Sequence, residues 1–186
     1  MNETEGFFTQ LRDDPESSED RALIQVILDA LRFISSTAQY GAFGEYLQHT
    51  EAGGPPYVVA AFTTMGEAEA WLNQLPQPPD SANILIANTY HDVVHDSETH
   101  VIRLPRSRAL EHYLAELEAA QPPGAVASFG SLEEAVAWLQ SQSDPATWAW
   151  VSIADEFYVA AYYRNIHFRA LYPLSMSKSG DVAHTG

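Results

Sequence analysis

Between Tyr57 and Leu75 the chain changes from one hydrophobic rhythm to another. Tyr57–Phe62 is a short apolar run bounded by a proline pair and by threonines, which predicts a strand buried on both faces. Met65, Ala68, Trp71, Leu72 and Leu75 then follow at helical spacing. Thr64-Met-Gly-Glu67 reads as a capping box, in which the hydroxyl accepts from a free first-turn N–H and the glutamate reaches back to the cap's own N–H. Pro76, Pro78 and Pro79 stop the helix.

The same pattern returns. PPYVVAAFTTMGEAEAWL from Pro55 recurs as PPGAVASFGSLEEAVAWL from Pro122, at a constant offset of 67 residues. Ser131-Leu-Glu-Glu134 repeats the capping box. Leu132, Ala135, Val136, Trp138 and Leu139 repeat the helical stripe, and Pro145 bars its continuation. The match continues without a gap through Ile86/Ile153 and Ala87/Ala154.

Three further strands follow in each copy. They are Asn83–Ala87, Tyr90–His95 and His100–Leu104 in the first, with turns near Asn88-Thr89 and Asp96–Thr99. In the second they are Ala149–Ala154, Phe157–Tyr163 and Ile166–Leu171, with turns near Asp155-Glu156 and Arg164-Asn165. Short polar turns between such runs predict antiparallel hairpins. The fold class is therefore α+β, with two β-α-β-β-β repeats forming antiparallel meanders about an approximate two-fold axis. One helix covers only one face of a sheet, so each copy needs a second cover. Arg106–Ala120, with Leu110, Tyr113, Leu114 and Leu117 on one side, can supply it for the second copy, and the helical region Ser18–Gln48 for the first.

The predicted organisation is an acidic mobile tail (1–17, containing Phe7 and Phe8), an N-terminal helical region (18–52), repeat 1 (53–105), a connecting helix (106–121), repeat 2 (122–174) and a fraying tail (175–186). Ser17 or Ser18 caps a helix whose apolar stripe is Leu23, Val26, Ile27, Leu31 and Ile34, with a break at Ser35-Ser36-Thr37. A shorter helix ends near Gln48.

Nine basic against 25 acidic residues give a net charge of −16. That disfavours nucleic-acid phosphates and anionic membranes as partners and permits a basic protein, although acidity also serves plain solubility. With no cysteine there is no disulfide or thiol chemistry. The N-terminus lacks a basic region followed by an apolar run, so cytoplasmic residence is the expectation. No catalytic triad order, glycine-rich phosphate loop or HExxH-type motif occurs, which points away from an enzyme, and no cofactor is implied.

Two side-chain groups carry candidate chemistry. His91, His95 and His100 lie among Asp92, Asp96 and Glu98. On a strand His91 and His95 are about 13 Å apart at roughly 3.3 Å per residue, too far to share an ion that needs each nitrogen within about 2.1 Å. His95 and His100 flank a turn and can face each other across a hairpin, where with a loop carboxylate they form a weak metal alternative. The competing reading is a solvated polar hairpin; Tyr162 stands where the second copy would repeat the pair.

The other group is Tyr158, Tyr162, Tyr163, Arg164, Asn165, His167 and Arg169, with Asp155 and Glu156 beside it. Positive and aromatic residues gather here in an otherwise acidic chain, and both are favoured interface anchors. The set is the predicted partner-binding site, because it is where the copies differ most; the alternative is that half the rings are core and the arginines pair locally.

The Pro-Pro boxes ending in AWL and the closing segment YRNIHFRALYPLS resemble a bacterial family of small acidic tandem-repeat proteins, immunity proteins of contact-delivered polymorphic toxins. The resemblance covers Gly53–Ser175. It implies a non-enzymatic cytoplasmic protein that binds and blocks one toxin domain, with no catalytic residues to assign. A self-associating structural protein, joined through exposed sheet edges, is the remaining alternative.

Overall fold

The computed structural model describes residues 18–96, 98–120 and 124–180. Three expectations, for the tail at 1–17, the Pro122-Pro123 pair and residues 181–186, lie outside them. The protein is α+β and divides into two compact units, with the boundary between Leu47 and Gln48.

The first unit contains α1 (Ser18–Ser36) and most of α2 (Tyr40–Glu51). The break falls where expected. The Thr37 hydroxyl donates to the Phe33 carbonyl at 2.8 Å, and Ala38 turns left-handed at φ 59°. The predicted stripe needs correction: Leu23 and Val26 are 60% and 66% exposed, whereas Leu28 is buried. Ile24, Leu28 and Leu31 share a face at helical spacing. With apolar residues on several sides of α1, sequence alone offers two stripes.

The expected boundary at residue 52 also moves. The last turn of α2 belongs to the second unit because His49 is buried there. Its Nε2 lies 2.6 Å from the Pro55 carbonyl, and its ring meets Tyr57 edge-on and stacks on Tyr163.

The second unit holds both repeats. The first is β1 (Ala60–Phe62), α3 (Met65–Gln74), β2 (Ser81–Ile86), β3 (Thr89–Asp96) and β4 (Val101–Arg103). The second is β5 (Ala127–Phe129), α5 (Leu132–Ser141), β6 (Trp148–Ile153), β7 (Glu156–Tyr163) and β8 (Phe168–Pro173), with α4 (Ala109–Ala119) between the copies. Each copy makes its own four-stranded sheet with strands in chain order. The first strand of each pairs parallel with the second, across the helix, and the rest is an antiparallel meander. The register repeats at the sequence offset: Ala60 faces Ile84 as Ala127 faces Val151, and Val94 faces Arg103 as Ala161 faces Ala170.

The hairpin turns lie one residue earlier than expected. Ala87-Asn88 and Ala154-Asp155 occupy the left-handed region at both positions, φ 47° and 63°, then 48° and 67°. These angles suit tight hairpins, but alanine is a poor left-handed residue, so composition points one position too late. Replacing Ala87 by glycine should raise stability by up to about 1 kcal/mol, net of the unfolded-state entropy glycine adds; a lower urea midpoint would contradict that. In the second copy a 3₁₀ turn at Arg164–Ile166 precedes β8, which starts at Phe168 rather than Ile166.

The α3 capping box is complete. Glu67 N–H donates to Thr64 Oγ1 at 3.3 Å, and Glu67 Oε2 accepts from the Thr64 and Thr63 amides at 3.2 and 2.8 Å. The second copy keeps the Ser131 half, but Glu134 accepts from the Gly130 amide at 2.9 Å rather than completing the box. Thr64→Ala should cost about 1 kcal/mol, measured as a shift in the urea midpoint at unchanged slope.

Packing joins the two copies through their inner sheet faces. Ala68, Leu72, Ile84, Ile86 and Val93 join α3 to the outer face of its sheet, and Ala135, Leu139, Val151, Ile153 and Ala160 do the same for α5. The inner faces meet in a common core: Val58, Leu85 and Tyr90 from the first copy, Leu110 and Leu114 from α4, and Trp150, Val159, Ala161, Tyr163 and Tyr172 from the second. The inner face of the first sheet is thus covered by the other copy together with α4. The tail expected to fray from Ser175 is instead a 3₁₀ helix (Leu174–Gly180) against α4, where Glu118 accepts from Ser177 Oγ at 2.7 Å and pairs with Lys178 at 3.0 Å. Leu174 and Met176 pack on the common core, which gives this polar segment its anchor.

Candidate functional site

Strand β7 decides what the aromatic group near the end of the chain does. Val159 to Tyr163 are all buried, so this strand is apolar on both faces. Val159, Ala161 and Tyr163 enter the common core, while Tyr158 and Ala160 face α5. The equivalents of Val159 and Tyr163 in the first copy are Asp92 and Asp96. The chemical difference between the copies is therefore first a difference in burial. As partner contacts, Tyr163 and Tyr162, 0% and 9% exposed, are corrected to core and near-core residues.

Tyr163 closes a buried hydroxyl chain. Tyr90 Oη donates to the Pro56 carbonyl at 3.0 Å and hydrogen-bonds Tyr163 Oη, which in turn lies within hydrogen-bond distance of Tyr172 Oη at 3.2 Å. Burial raises the pKa of all three phenols. Asn165 donates from Nδ2 to the Val58 carbonyl at 2.8 Å, a tie from the second copy to the first. Tyr158 is half-buried and donates to Glu156 at 3.5 Å; burial, then the Glu156 charge, raises its pKa. Asp155, Arg164 and His167 are exposed.

Around Tyr162 two guanidinium groups gather. Arg169 lies over the ring at 4.9 Å from its centroid and donates to the Gln142 carbonyl at 2.9 Å and to Gln140 Oε1 at 3.4 Å. Arg164 lies 5.5 Å from the same ring, pairs with Asp144 at 2.8 Å and donates to the Pro145 carbonyl at 3.4 Å. Both cations are thus held by the chain's own acceptors. His167, left-handed at φ 50°, places Nδ1 3.3 Å from Tyr162 Oη.

The same place in the first copy is an open groove of about 600 Å³. Its lining includes Asn73, Leu75, Asp80, His95, His100 and Ile102, which stand at the offset positions of Gln140, Gln142, Thr147, Tyr162, His167 and Arg169. The two histidines are not cross-strand partners as expected. His95 faces Ile102, and His100 sits in the turn at φ 55°, because the four-residue loop lies one position later than expected, with Asp96 paired to Val101. Their rings are 6.5 Å apart. His95 Nδ1 lies 3.3 Å from an Asp80 carboxylate oxygen without hydrogen-bond alignment and is otherwise unpartnered and buried. Among the described residues no group of three or more His, Cys, Asp or Glu is arranged to hold a metal ion. His91 is occupied elsewhere, with Nδ1 2.9 Å from the Leu104 carbonyl.

Asn73, Leu75, Asp80 and Ile102 escape a reading that looks for aromatic or titratable clusters. The signal that finds them is the offset itself, which sets Ile102 against Arg169. A second open groove, about 620 Å³, lies over Phe62, Trp71 and Phe168. Its Phe62–Trp71 ring pair, 5.4 Å and 47°, recurs unchanged as Phe129–Trp138 and is therefore accounted for by packing.

Among the described residues no helix is long and apolar enough to cross a membrane. The chain matches no protein-family model, no curated protein and no solved structure.

Proposed function

We propose that this chain is a non-enzymatic binding protein that takes up a basic protein domain and blocks it, as an immunity protein does with its toxin. The observation that carries the reading is the distribution of charge. The net charge is −16, and several of the few cations are already engaged: Arg32 with Asp29, Arg106 with Glu111, Arg164 with Asp144 and Lys178 with Glu118. The acidic surplus is left for a partner, and such a field speeds encounter with a basic one and selects against acidic ones. The likeness of the repeat boxes to immunity proteins points the same way.

The test is titration of the purified chain with the protein encoded by the adjacent reading frame, with calorimetry for the stoichiometry and stopped-flow mixing for the association rate. A one-to-one complex is expected, with an association rate at least about tenfold slower at 0.5 M than at 0.1 M salt, because screening shortens the range of surface charge. A partner that is acidic, or an association rate indifferent to salt, would overturn the reading.

A further inference from the structure

The second copy shows what the shared scaffold does with an arginine. Its strand β8 presents Arg169 to the outer face, where the guanidinium lies over the Tyr162 ring and donates to the Gln140 side-chain carbonyl and the Gln142 main-chain carbonyl. The scaffold of the first copy is the same, down to the register that sets Ile102 opposite His95 as Arg169 is opposite Tyr162. Every acceptor type recurs. Asn73 supplies a side-chain amide for Gln140, Leu75 a main-chain carbonyl for Gln142, and His95 a flat ring for Tyr162. The first copy adds a carboxylate, Asp80, where the second has Thr147. It lacks only the cation: Ile102 ends short of these groups and lines the groove, and the offset position of Arg164 is a serine in the sequence.

We infer that the first-copy groove receives an arginine side chain from the partner, in the place where the second copy holds its own Arg169. The inference rests on the binding-protein reading above and names where that binding is anchored. Arginine suits the groove better than lysine because a planar fork can stack on a ring and donate to two carbonyls at once, whereas an ammonium group offers a point charge. The exposed Asp80 carboxylate supplies charge at the rim, and Ile102, Leu72 and Leu75 supply an apolar floor for the methylene stem.

The probe is N-acetyl-arginine N-methylamide, titrated into the full chain and followed by backbone amide NMR shifts. Saturable shifts are expected at Asn73, Asp80, His95, His100 and Ile102, with the lysine counterpart about tenfold weaker. Ile102→Arg should abolish them by filling the groove from within while the rest of the spectrum is retained. Should that variant fail to fold, Asp80→Ala and Asn73→Ala must each weaken the probe severalfold. Equal response to arginine and lysine, shifts scattered over acidic residues elsewhere, or undiminished binding by these variants would overturn the inference. A basic partner that binds the Ile102→Arg chain as well as the original sinks the groove and leaves the binding reading standing. A probe seated in the groove with no basic partner found sustains the groove and sinks the partner reading.

Discussion

Tyr163→Ala is expected to cost about 4 kcal/mol, the range for truncating a buried aromatic, and to halve or abolish the stability of a chain of this size. Tyr163 is fully buried at the meeting of the two copies, with His49 stacked on its ring, Phe168 beside it and Tyr90 and Tyr172 on its hydroxyl. Removing the ring leaves a cavity lined by both sheets and strips two phenols of a partner, which compounds the loss. Tyr163→Phe separates the parts: it keeps the ring and should cost only about 1–3 kcal/mol, the penalty for leaving hydroxyls unsatisfied. Urea unfolding of both variants measures this. A midpoint for Tyr163→Ala close to that of the parent would show that the copies do not depend on their shared core.

Alkaline solution should unfold the protein cooperatively. Burial holds the phenols of Tyr90 and Tyr163 far above their ordinary value and raises Tyr172 to about 12; for Tyr172 the hydrogen bonds from its two neighbours pull back against that rise. The folded state therefore keeps three protons that the unfolded chain gives up near pH 10. Their contribution is complete below that pH and is lost as pH rises through the folded-state values. Each tyrosine costs about 1.4 kcal/mol per pH unit in that window, so the three together cost about 4 kcal/mol per unit. By pH 12 the loss is comparable to the whole stability of a typical domain. Circular dichroism and phenolate absorbance, followed together, should break at the same pH. Smooth independent ionisation of all nine tyrosines near pH 10, with structure intact, would contradict the buried hydroxyl chain.

The repeat was fully legible in the sequence because packing inside each copy recurs residue by residue: Phe62 with Trp71, Phe129 with Trp138, threonine or serine at each cap. What lies between the copies was not, because those contacts have no counterpart at the offset. Tyr163 corresponds to Asp96 and Asn165 to Glu98, so nothing in a self-comparison signals that one pair joins the halves. Aromatic residues beside arginines look the same whether they await a partner or pack on the chain's own sheet, and here Tyr162 and Tyr163 do the latter. The turns at Ala87 and Ala154 were displaced because the backbone overrides a residue that offers no turn signal. The groove at Ile102 was invisible for the opposite reason: its meaning lies in the arginine that is missing.

The constant spacing of the copies also exposes the gene to one particular accident. A replication slip between the two boxes would excise one repeat length in frame, joining Phe62 to Gly130, without damaging a cap, a helix or a hairpin. The product would keep Val58, Trp150, Val159 and Tyr163 but lose Leu85, Tyr90, Leu110 and Leu114 from the common core. Such a shortened chain should show nearly the helix and strand signal its length predicts, yet bind hydrophobic dyes and melt without a cooperative transition. A gene of this kind can be inactivated with every local folding instruction still in place.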